Sequence, residues 1–316
     1  MKNTPKYLQK LLLENEKKNF IQFLNISTNE GSFEDLSPLT SVHTLQLNKK
    51  YLHESALQSI KEIQTFKWKG KTIHPRSLSR LKRVHTLDVI TIGFPDNMVL
   101  PEGIHTLKLK KSFQAKISSS FFKYLRGIHT LDLAGMYSIT DDSLVHLQGI
   151  HTLKIDFCDS LTGKGFGYLK GIHTLQLFGL DSLTDDSLVH LEGIHTLKIS
   201  SCEIITGKGF KYLKGIHTLG VSGLSSLTNE SFVHLQGIHT LTIHKCYKIT
   251  GEGFKYLKGI HSLEVLGVDS ITDEDFVYIQ GVQTLRMSFC DRITGEGFKY
   301  LKGIQVLYVS GAPLLK

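Results

Sequence analysis

The chain has 316 residues, of which 41% are hydrophobic and 21% are charged, and its formal net charge is +8. This composition is typical of a folded protein and excludes a disordered or low-complexity chain. No stretch approaches the roughly 18 apolar residues of a membrane span, and the N-terminal sequence lacks the apolar core of a secretory signal. We therefore expect an intracellular, cytoplasmic protein without a membrane association.

The first predicted element in chain order is a short helix. Thr4-Pro5 is typical of a helix start, with proline in the first turn. The segment from Tyr7 to Leu12 places apolar residues at helical spacing. Residues 1–19 are therefore predicted to form an N-terminal helical cap, followed by one repeat domain at residues 20–316.

The rest of the chain repeats a motif centred on Ile-His-Thr-Leu. We number each repeat from this motif, so that Ile172 is position 1 and His173 is position 2. Position 2 falls at residues 22, 43, 64, 85, 105, 129, 151, 173, 195, 217, 239, 261, 283 and 305, with a constant step of 22 residues from 129 onward. A period of about 20–29 residues with a leucine-spaced core is typical of leucine-rich repeats. This predicts about fourteen strands, degenerate over 20–128 and regular over 129–312.

Each repeat predicts a strand, a loop and a short helix. Apolar residues at positions 4 and 6 alternate with other residues at positions 3 and 5, as in a strand with one buried face. Thr140 is then predicted to cap a helix, with Asp141 and Asp142 in its first turn, and Gly149 to end it. The predicted fold class is α/β: a leucine-rich repeat solenoid shaped like a horseshoe or arc, with a parallel β-sheet on the concave side and short helices on the convex side.

A longer period is superimposed on these repeats. Helical segments of the type TDDSLVHLQG (140–149 and 184–193) alternate with segments of the type TGKGFKYLKG (206–215). The duplicated unit is therefore a pair of repeats, 44 residues long. Upstream, Phe94-Pro95 and Leu100-Pro101 interrupt the pattern, and we expect an irregular strand junction or a bend there.

Four cysteines also follow the 44-residue period: Cys158, Cys202, Cys246 and Cys290. Repeats stacked about 4.8 Å apart place successive cysteines about 10 Å from one another, whereas a disulfide needs Cα atoms within about 7 Å. Their spacing also differs from zinc-binding motifs. We expect buried, reduced thiols, no metal and no cofactor, as in a reducing compartment.

The segment LKISSCEIITGKGFKYLKG (197–215) resembles the cysteine-containing leucine-rich repeat, L-x-L-x-x-C-x-x-I-T-D-x-G-L-x-x-L, of F-box/leucine-rich-repeat and ribonuclease-inhibitor-like proteins. The resemblance covers 129–312 well and 20–128 loosely. The tandem GIHTL copies also resemble repeat proteins encoded by giant DNA viruses of amoebae, which would place the protein in the host cytoplasm or the virion. The F-box itself has no counterpart in residues 1–19, so the resemblance implies the repeat fold and not a ubiquitin-ligase role.

Position 2 holds His in ten repeats and Gln in the other four. Both are uncharged donor–acceptor side chains, but Gln is a poor transition-metal ligand and does not titrate. This favours a ladder of side-chain hydrogen bonds to backbone groups at the strand entry over a metal site, and it leaves a pH-sensitive stack open. Because stacked imidazoles cannot all be charged at low cost, the ladder predicts a loss of stability below about pH 6.

The sequence contains no catalytic constellation that stands apart from the repeats. LTGKGF (161–166) and ITGKGF (205–210) lack the spacing of a phosphate-binding P-loop, and we interpret their glycines as helix-start geometry. No catalytic residue is predicted, and we do not expect an enzyme.

The concave sheet is the first candidate binding surface. Fourteen strands span on the order of 60 Å, and solenoids bind partners on such surfaces. The candidate partner-binding residues occupy positions 5, 7 and 8: Asp132, Lys154, Phe157, Phe178, His244, Lys245, Glu264, Leu266, Arg286, Phe289 and Tyr308. Functionless divergence of the repeats is the alternative explanation. The predicted function is a non-enzymatic protein–protein interaction scaffold with an unidentified protein partner.

A second candidate surface is basic. The lysine stripe is a set of residues that recur in every second helical segment: Lys170, Lys211, Lys214, Lys255, Lys258, Lys299 and Lys302. Lysines that complement helix C-termini would explain it. Binding of nucleic acid along this stripe is an alternative function, although we identify no aromatic platforms beside the lysines.

The end of the chain is the third candidate. Gly311 to Lys316 follow the last predicted strand without a further helix. An uncapped solenoid end exposes core and a strand edge. Either Pro313 and Leu314-Leu315 fold over this end, or the protein forms a homodimer through it and acts as a self-assembling structural component.

Overall fold

The computed structural model describes residues 23–27, 42–48, 50–52, 57, 60, 62–93, 95, 97–111, 119–135 and 139–315. The helical cap predicted at 1–19 lies outside these residues. The chain divides into two compact units. Unit 1 comprises residues 1–139 and 146–150, and unit 2 comprises residues 140–145 and 151–316.

The described strands of unit 1 run parallel and pair in chain order, except that β3 pairs with the end of β4. These strands are β1 (Phe23–Ser27), β2 (Thr44–Asn48), β3 (Tyr51–Leu52), β4 (Thr65–Ile73), β5 (Thr86–Gly93), β6 (Thr106–Lys111) and β7 (Thr130–Ala134). The helical segments η1 (Leu78–Arg80) and η2 (Ser119–Leu125) lie between strands. The expected irregularity near Phe94-Pro95 does not interrupt strand pairing, since β5 and β6 stay in register from Thr86 and Thr106 to Thr91 and Lys111.

Unit 2 continues the same pattern with regular five-residue strands, all parallel to their neighbours. They are β8 (Thr152–Asp156), β9 (Thr174–Phe178), β10 (Thr196–Ser200), β11 (Thr218–Ser222), β12 (Thr240–His244), β13 (Ser262–Leu266), β14 (Thr284–Ser288) and β15 (Val306–Ser310).

The helical segments of the 22-residue repeats alternate with these strands. They are η3 (Asp141–Leu147), whose first residues belong to unit 2, η4 (Lys164–Leu169), η5 (Asp185–Leu191), η6 (Lys208–Tyr212), η7 (Asn229–Leu235), η8 (Gly251–Tyr256), η9 (Asp273–Ile279) and η10 (Glu296–Tyr300).

Burial follows the predicted alternation within each strand. In β8, Leu153 and Ile155 are fully buried, while Thr152, Lys154 and Asp156 are partly exposed. Apolar residues of the helical segments, such as Leu144 and Leu147, are buried as well. The other side of the sheet, which carries positions 3, 5, 7 and 8, is called the open face below. The fold is therefore an α/β leucine-rich repeat solenoid, as the sequence predicted.

The helical segments are short, as expected, and all of those described are 3₁₀ helices. Successive bonds join residues three apart: the amide of Phe210 donates to Gly207 (3.1 Å) and that of Leu213 to Phe210 (2.9 Å). A 3₁₀ helix rises about 2.0 Å per residue against about 1.5 Å for an α-helix. The few residues available in a 22-residue repeat therefore cover more distance on the way back to the next strand.

The 44-residue period has a physical cause in the contacts between helical segments. Asp141, at position 14, was predicted to act on its own helix, but its carboxylate reaches the following repeat. It accepts hydrogen bonds from the amide and hydroxyl of Thr162 (3.1 and 2.7 Å) and from the amide of Gly165 (2.8 Å). Asp185 and Asp273 make the same contacts two and six repeats further on. We call this contact the aspartate clamp.

The clamp requires glycine on the receiving side. A Cβ atom at Gly165 would lie 2.5 Å from the backbone oxygen of Asp141. Gly163 has a φ of +85°, which agrees with the predicted helix-start geometry, and a Cβ there would lie 2.4 Å from that of Ser187. Helix-start geometry therefore explains Gly163 only. Gly165 is needed because the backbone of the preceding repeat approaches it so closely.

The clamp also favours the charged form of Asp141 and of Asp273. Burial raises the pKa of Asp141, but hydrogen bonds from Gly165 and Thr162 outweigh burial and hold the pKa below its ordinary value. Burial likewise raises the pKa of Asp273, but hydrogen bonds from Gly297 and Thr294 outweigh burial and lower this pKa. The stabilisation from these carboxylates is present above the unfolded pKa and is lost as the pH falls through the lower folded pKa.

The cysteines are free and fully buried, as expected. Each Sγ lies 3.4–3.7 Å from the carbonyl oxygen two residues earlier, at the end of a strand. Burial raises the pKa of Cys202 to about 11 and also raises the pKa values of Cys246 and Cys290.

We expect the four thiols to be inert in the folded protein, because burial suppresses both access and the thiolate form. Ellman's reagent at pH 8 should modify none of them within minutes in buffer and all four in 6 M guanidinium chloride. Rapid modification of one or more thiols without denaturant would contradict the buried placement.

Candidate functional site

The open face of unit 2 ends at a bend in every repeat. Position 8 has a positive φ throughout, between 49° and 63°. Gly179, Gly223, Gly267 and Gly311 occupy it in alternate repeats, where the conformation has little cost. The repeats between them carry Phe157, Ser201, Lys245 and Phe289, for which the left-handed conformation costs roughly 1–2 kcal/mol. Strained backbone therefore presents a side chain at every second repeat.

Two predicted residues form an aromatic patch. The ring of Phe157 covers Gly179, where a Cβ atom would approach its Cδ1 to 2.7 Å. The same ring meets Phe178 edge to face, with centroids 4.8 Å apart. Phe157 is 47% exposed and Phe178 is 36% exposed. Beside them, Lys154 pairs with Asp156 at 3.1 Å, so this part of the open face combines aromatic surface with a local ion pair.

Other predicted residues come together on β12–β15. Nε2 of His244 lies 3.3 Å from Oε1 of Glu264, and Glu264 is in register with Arg286, which is in register with Tyr308. Leu266 lies beside His244 in the sheet. Lys245 is exposed at its bend.

Two further predicted residues complete the set. Phe289 follows β14 directly, is 63% exposed, and its ring covers Gly311 after β15. Asp132 lies on β7 in unit 1. Within unit 2 the predicted residues therefore fall at β8–β9 and at β12–β15.

The lysine stripe is exposed along its length, but the sequence analysis missed its aromatic partners. Lys211, Lys255 and Lys299 hold Nζ over the rings of the tyrosines that follow them, 4.8–5.1 Å from the centroids. The stripe therefore has aromatic residues beside it, contrary to our interpretation of the sequence. A Lys-Tyr pair that recurs every 44 residues is the signal that could have identified them.

The histidines at position 2 form a stack rather than the expected ladder to the backbone. In unit 2 the rings from His151 to His261 stack face to face, with centroids 4.3–4.5 Å apart. Nδ1 of His173 lies 3.0 Å from the hydroxyl of Thr174, and the next three repeats repeat this contact. Backbone groups at the strand entry bond to one another and not to the imidazoles: the carbonyl of His151 accepts hydrogen bonds from the amides of His173 and Thr174. Gln283 does bond the backbone, donating to Gly281 at 3.1 Å.

We expect the stack to destabilise the protein in mild acid. Partial burial and the neighbouring imidazoles lower the pKa values of His195 and His239 below the ordinary 6.5. The unfolded chain then binds more protons, so stability falls as the pH drops through 6.5 and the loss is complete below the folded pKa values. The melting temperature should decrease from pH 7.5 to pH 5.0.

The variant His195→Gln/His239→Gln should show a smaller decrease over the same interval, because glutamine already occupies this position at Gln283 and does not titrate. An unchanged melting temperature of the wild type from pH 7.5 to 5.0 would show that the stack does not titrate in this range.

Strand β15 differs from the other strands of unit 2. Leu307, at position 4, is 39% exposed, whereas Leu285 at the same position of β14 is fully buried. Leu315 approaches the site of a Cβ at Gly295 to 3.1 Å, so it packs towards this end, while Leu314 stays 53% exposed. Strand β15 thus presents apolar side chains.

Neither metal nor membrane chemistry is indicated in the part of the chain that the structure describes. There, no group of three or more His, Cys, Asp or Glu side chains is placed to hold a metal ion. Among the same residues, no helix combines the length and the apolar character needed to cross a bilayer.

Comparisons with solved structures support the fold. A chain of the yeast Rad7–Elc1 complex matches with a TM-score of 0.57 and 16% identity, over 98% of this chain and 83% of its own length. A chain of the TLR13–ssRNA13 complex matches with a TM-score of 0.58 and 13% identity, over 93% of this chain and 55% of its own length. Both are leucine-rich repeat proteins. No protein-family model and no curated protein sequence matches the chain.

Proposed function

We propose that the protein is a non-enzymatic scaffold that binds a protein partner through the open face of its sheet. The observation that carries this proposal is the place where its near-identical repeats differ. The four repeats that begin at residues 150, 194, 238 and 282 can be compared position by position. Only positions 5, 7, 8, 10 and 11 hold three or more residue types.

These five positions lie on the open face or on the loops beside it. On the helical side, positions 13 to 22 are far more uniform: eight of the ten are identical in all four copies. Drift would spread over every exposed position, including the helical side. In these four copies the divergence is concentrated on the open face and its loops, where strained bends present Phe157 and Phe289, and selection for a specific contact would produce this pattern.

Nucleic acid is the second candidate partner. The observation in its favour is the row of Lys-Tyr pairs, whose lysines are exposed and whose tyrosines are partly exposed, because cations and aromatic rings together suit a single-stranded polyanion. The TLR13 structure contains single-stranded RNA, which concerns that protein alone. Against this candidate, each paired lysine already lies over its own tyrosine, and the lysines at position 21 are identical in all four copies.

Self-association is the third candidate. The exposed side chains of β15, among them Leu307 and Tyr308, would form a homodimer by packing against a second copy at this strand. Light scattering at tens of micromolar protein tests this candidate, and a monomeric mass excludes it.

We also propose a repeat subtype, a cellular location and a domain organisation for the chain. Buried thiols at position 9 support membership of the cysteine-containing subtype of leucine-rich repeats and an intracellular location. The tandem GIHTL copies support kinship with repeat proteins of giant DNA viruses, and with it a place in the host cytoplasm or the virion. We propose in addition that residues 20–316 form a single repeat domain, preceded by a helical cap at residues 1–19.

Affinity capture from a cell lysate, with and without nuclease, tests the scaffold. The wild type is compared with Phe157→Ser/Phe178→Ser/Phe289→Ser on the open face and with Lys211→Ala/Lys255→Ala/Lys299→Ala on the stripe. We expect the wild type and the lysine-stripe variant to capture a protein with or without nuclease. The phenylalanine variant should fail to capture it. Capture that disappears with nuclease and with the second variant would move the function to the lysine stripe.

A further inference from the structure

The aromatic patch lies beside a row of acidic residues that the sequence analysis did not select. Asp159, Asp181 and Glu203 occupy position 10 in three successive repeats and are all exposed. The loops that carry them are joined directly, since the hydroxyl of Ser182 donates to the backbone oxygen of Asp159 at 2.9 Å. The three carboxylates therefore follow one another along a single edge of the sheet. We call Phe157, Phe178, Asp159, Asp181 and Glu203 together the aromatic–acidic edge.

The geometry links the rings to these carboxylates. Phe157 precedes Asp159 by two residues, and its ring covers Gly179, which precedes Asp181 by two residues. The amide of Phe157 donates to Phe178 at 2.8 Å, and the amide of Gly179 donates to Ser200 at 2.9 Å, which holds the three repeats together at this bend. Negative charge and exposed aromatic surface thus occupy the same few residues.

The charge of this edge opposes that of the whole protein. The chain carries a formal net charge of +8, yet within the described residues Asp159, Asp181 and Glu203 make no ion pair with a lysine or arginine. Lys154, at position 5 of β8, is already paired with Asp156. The edge is therefore an unneutralised acidic site on a basic protein.

A guanidinium group can bind both the aromatic rings and the carboxylates of the aromatic–acidic edge. Its planar face stacks on exposed aromatic rings, and its N–H groups pair with carboxylates in a fixed fork. Apolar partners would leave the three carboxylates desolvated without a counter-charge, and acidic partners would be repelled. Building on the scaffold proposed above, we propose that the aromatic–acidic edge binds an arginine-containing basic segment of the protein partner.

Fluorescence anisotropy with the full-length protein tests this proposal. The probe is a fluorescein-labelled nonapeptide in which glycine and arginine alternate, and the matched peptide replaces each arginine with uncharged citrulline. We expect saturable binding of the arginine peptide that weakens as salt rises, and at least tenfold weaker binding of the citrulline peptide. Equal binding of the two peptides, or no binding up to 1 mM, would overturn the proposal.

Three variants locate the binding. Phe157→Ser/Phe178→Ser and Asp159→Asn/Asp181→Asn/Glu203→Gln should each weaken the arginine peptide at least tenfold. The matched control Asp142→Asn/Asp186→Asn/Glu230→Gln removes three exposed charges from the helical side, with the same change in net charge. It should bind like the wild type. An equal loss in the control would show general charge attraction and refute the site. Urea denaturation of each variant ensures that folded proteins are compared.

The result of the peptide-binding experiment can be distinguished from the result of the affinity capture that tests the scaffold. If the arginine peptide fails to bind while capture of a protein still depends on Phe157, Phe178 and Phe289, the scaffold stands and the partner segment is not basic. If the peptide binds at the edge but no protein is captured through the open face, the edge recognises arginine and the broader scaffold proposal is wrong.

Discussion

Gly165→Ala is expected to destabilise unit 2 by about 3 kcal/mol or more, because the new methyl group has no room. Its Cβ would lie 2.5 Å from the backbone oxygen of Asp141, 2.8 Å from its Cα and 3.0 Å from its carbonyl carbon. A flexible side chain could move aside, but backbone of an adjoining repeat cannot move without opening the aspartate clamp. Each repeat is stabilised by its interfaces with its two neighbours, so the loss of one interface should weaken the adjacent repeats as well.

Gly167→Ala is the matched control, two residues away in the same helical segment η4. Its Cβ would meet the ring of His190 at 3.6 Å, an ordinary contact. The other three copies of this repeat carry lysine at this position. Its stability should stay within about 0.5 kcal/mol of the wild type, with helix propensity favouring alanine. Urea denaturation followed by circular dichroism compares the two variants. Similar midpoints for both would show that the close approach at Gly165 is absent in solution.

Asp185→Ala should cost about 3 kcal/mol or more, since it leaves several buried backbone donors without an acceptor. The carboxylate accepts from the amide and hydroxyl of Thr206 at 3.1 and 2.7 Å, and from the amides of Gly207 and Gly209 at 3.0 and 2.9 Å. Removing one partner of such a network is costlier than the network's net contribution, because the donors stay desolvated.

Two further variants separate this effect from the loss of a charge. Asp185→Asn should cost less than alanine, because Asn229 holds the same place one pair of repeats later. Asn229 bonds Thr250 through both its amide nitrogen (2.7 Å) and its oxygen (2.9 Å). Asp186→Ala removes the adjacent, exposed carboxylate and should change the free energy of unfolding by no more than about 0.5 kcal/mol. If Asp186→Ala proves as damaging as Asp185→Ala, helix-dipole effects and not the clamp hold these repeats together.

The sequence predicted the fold because its information is periodic. The constant 22-residue step, with Leu175 and Leu177 on one face and Thr174 and Gln176 on the other, determines strand, register and buried face together. The 44-residue alternation was also visible, but not its cause. The contact between Asp141 and Gly165 joins residues of different repeats, and local propensity assigns Asp141 to its own helix with equal ease.

The candidate site was predictable only in part, for a similar reason. Alternation places Phe178, at position 7, on the open face. Phe157 and Phe289, at position 8, are exposed because the left-handed bend ends the alternation there. Alternation could not show that Phe157 folds over Gly179 at a left-handed bend, since φ at a non-glycine residue leaves no mark in the sequence. The loop residues Asp159, Asp181 and Glu203 lie outside the strand alternation that selected the candidate site, although the 22-residue step already makes them neighbours.

The aspartate clamp also constrains how such a chain can change its length. Deleting a single 22-residue repeat would bring two helical segments of the same type together, and a serine such as Ser187 would then occupy the place where Gly165 tolerates no Cβ. Removing or duplicating a pair of repeats restores every contact. We therefore expect unit 2 to keep its stability best when repeats are removed or added in steps of 44 residues, and each such step removes or adds one strained bend together with its side chain.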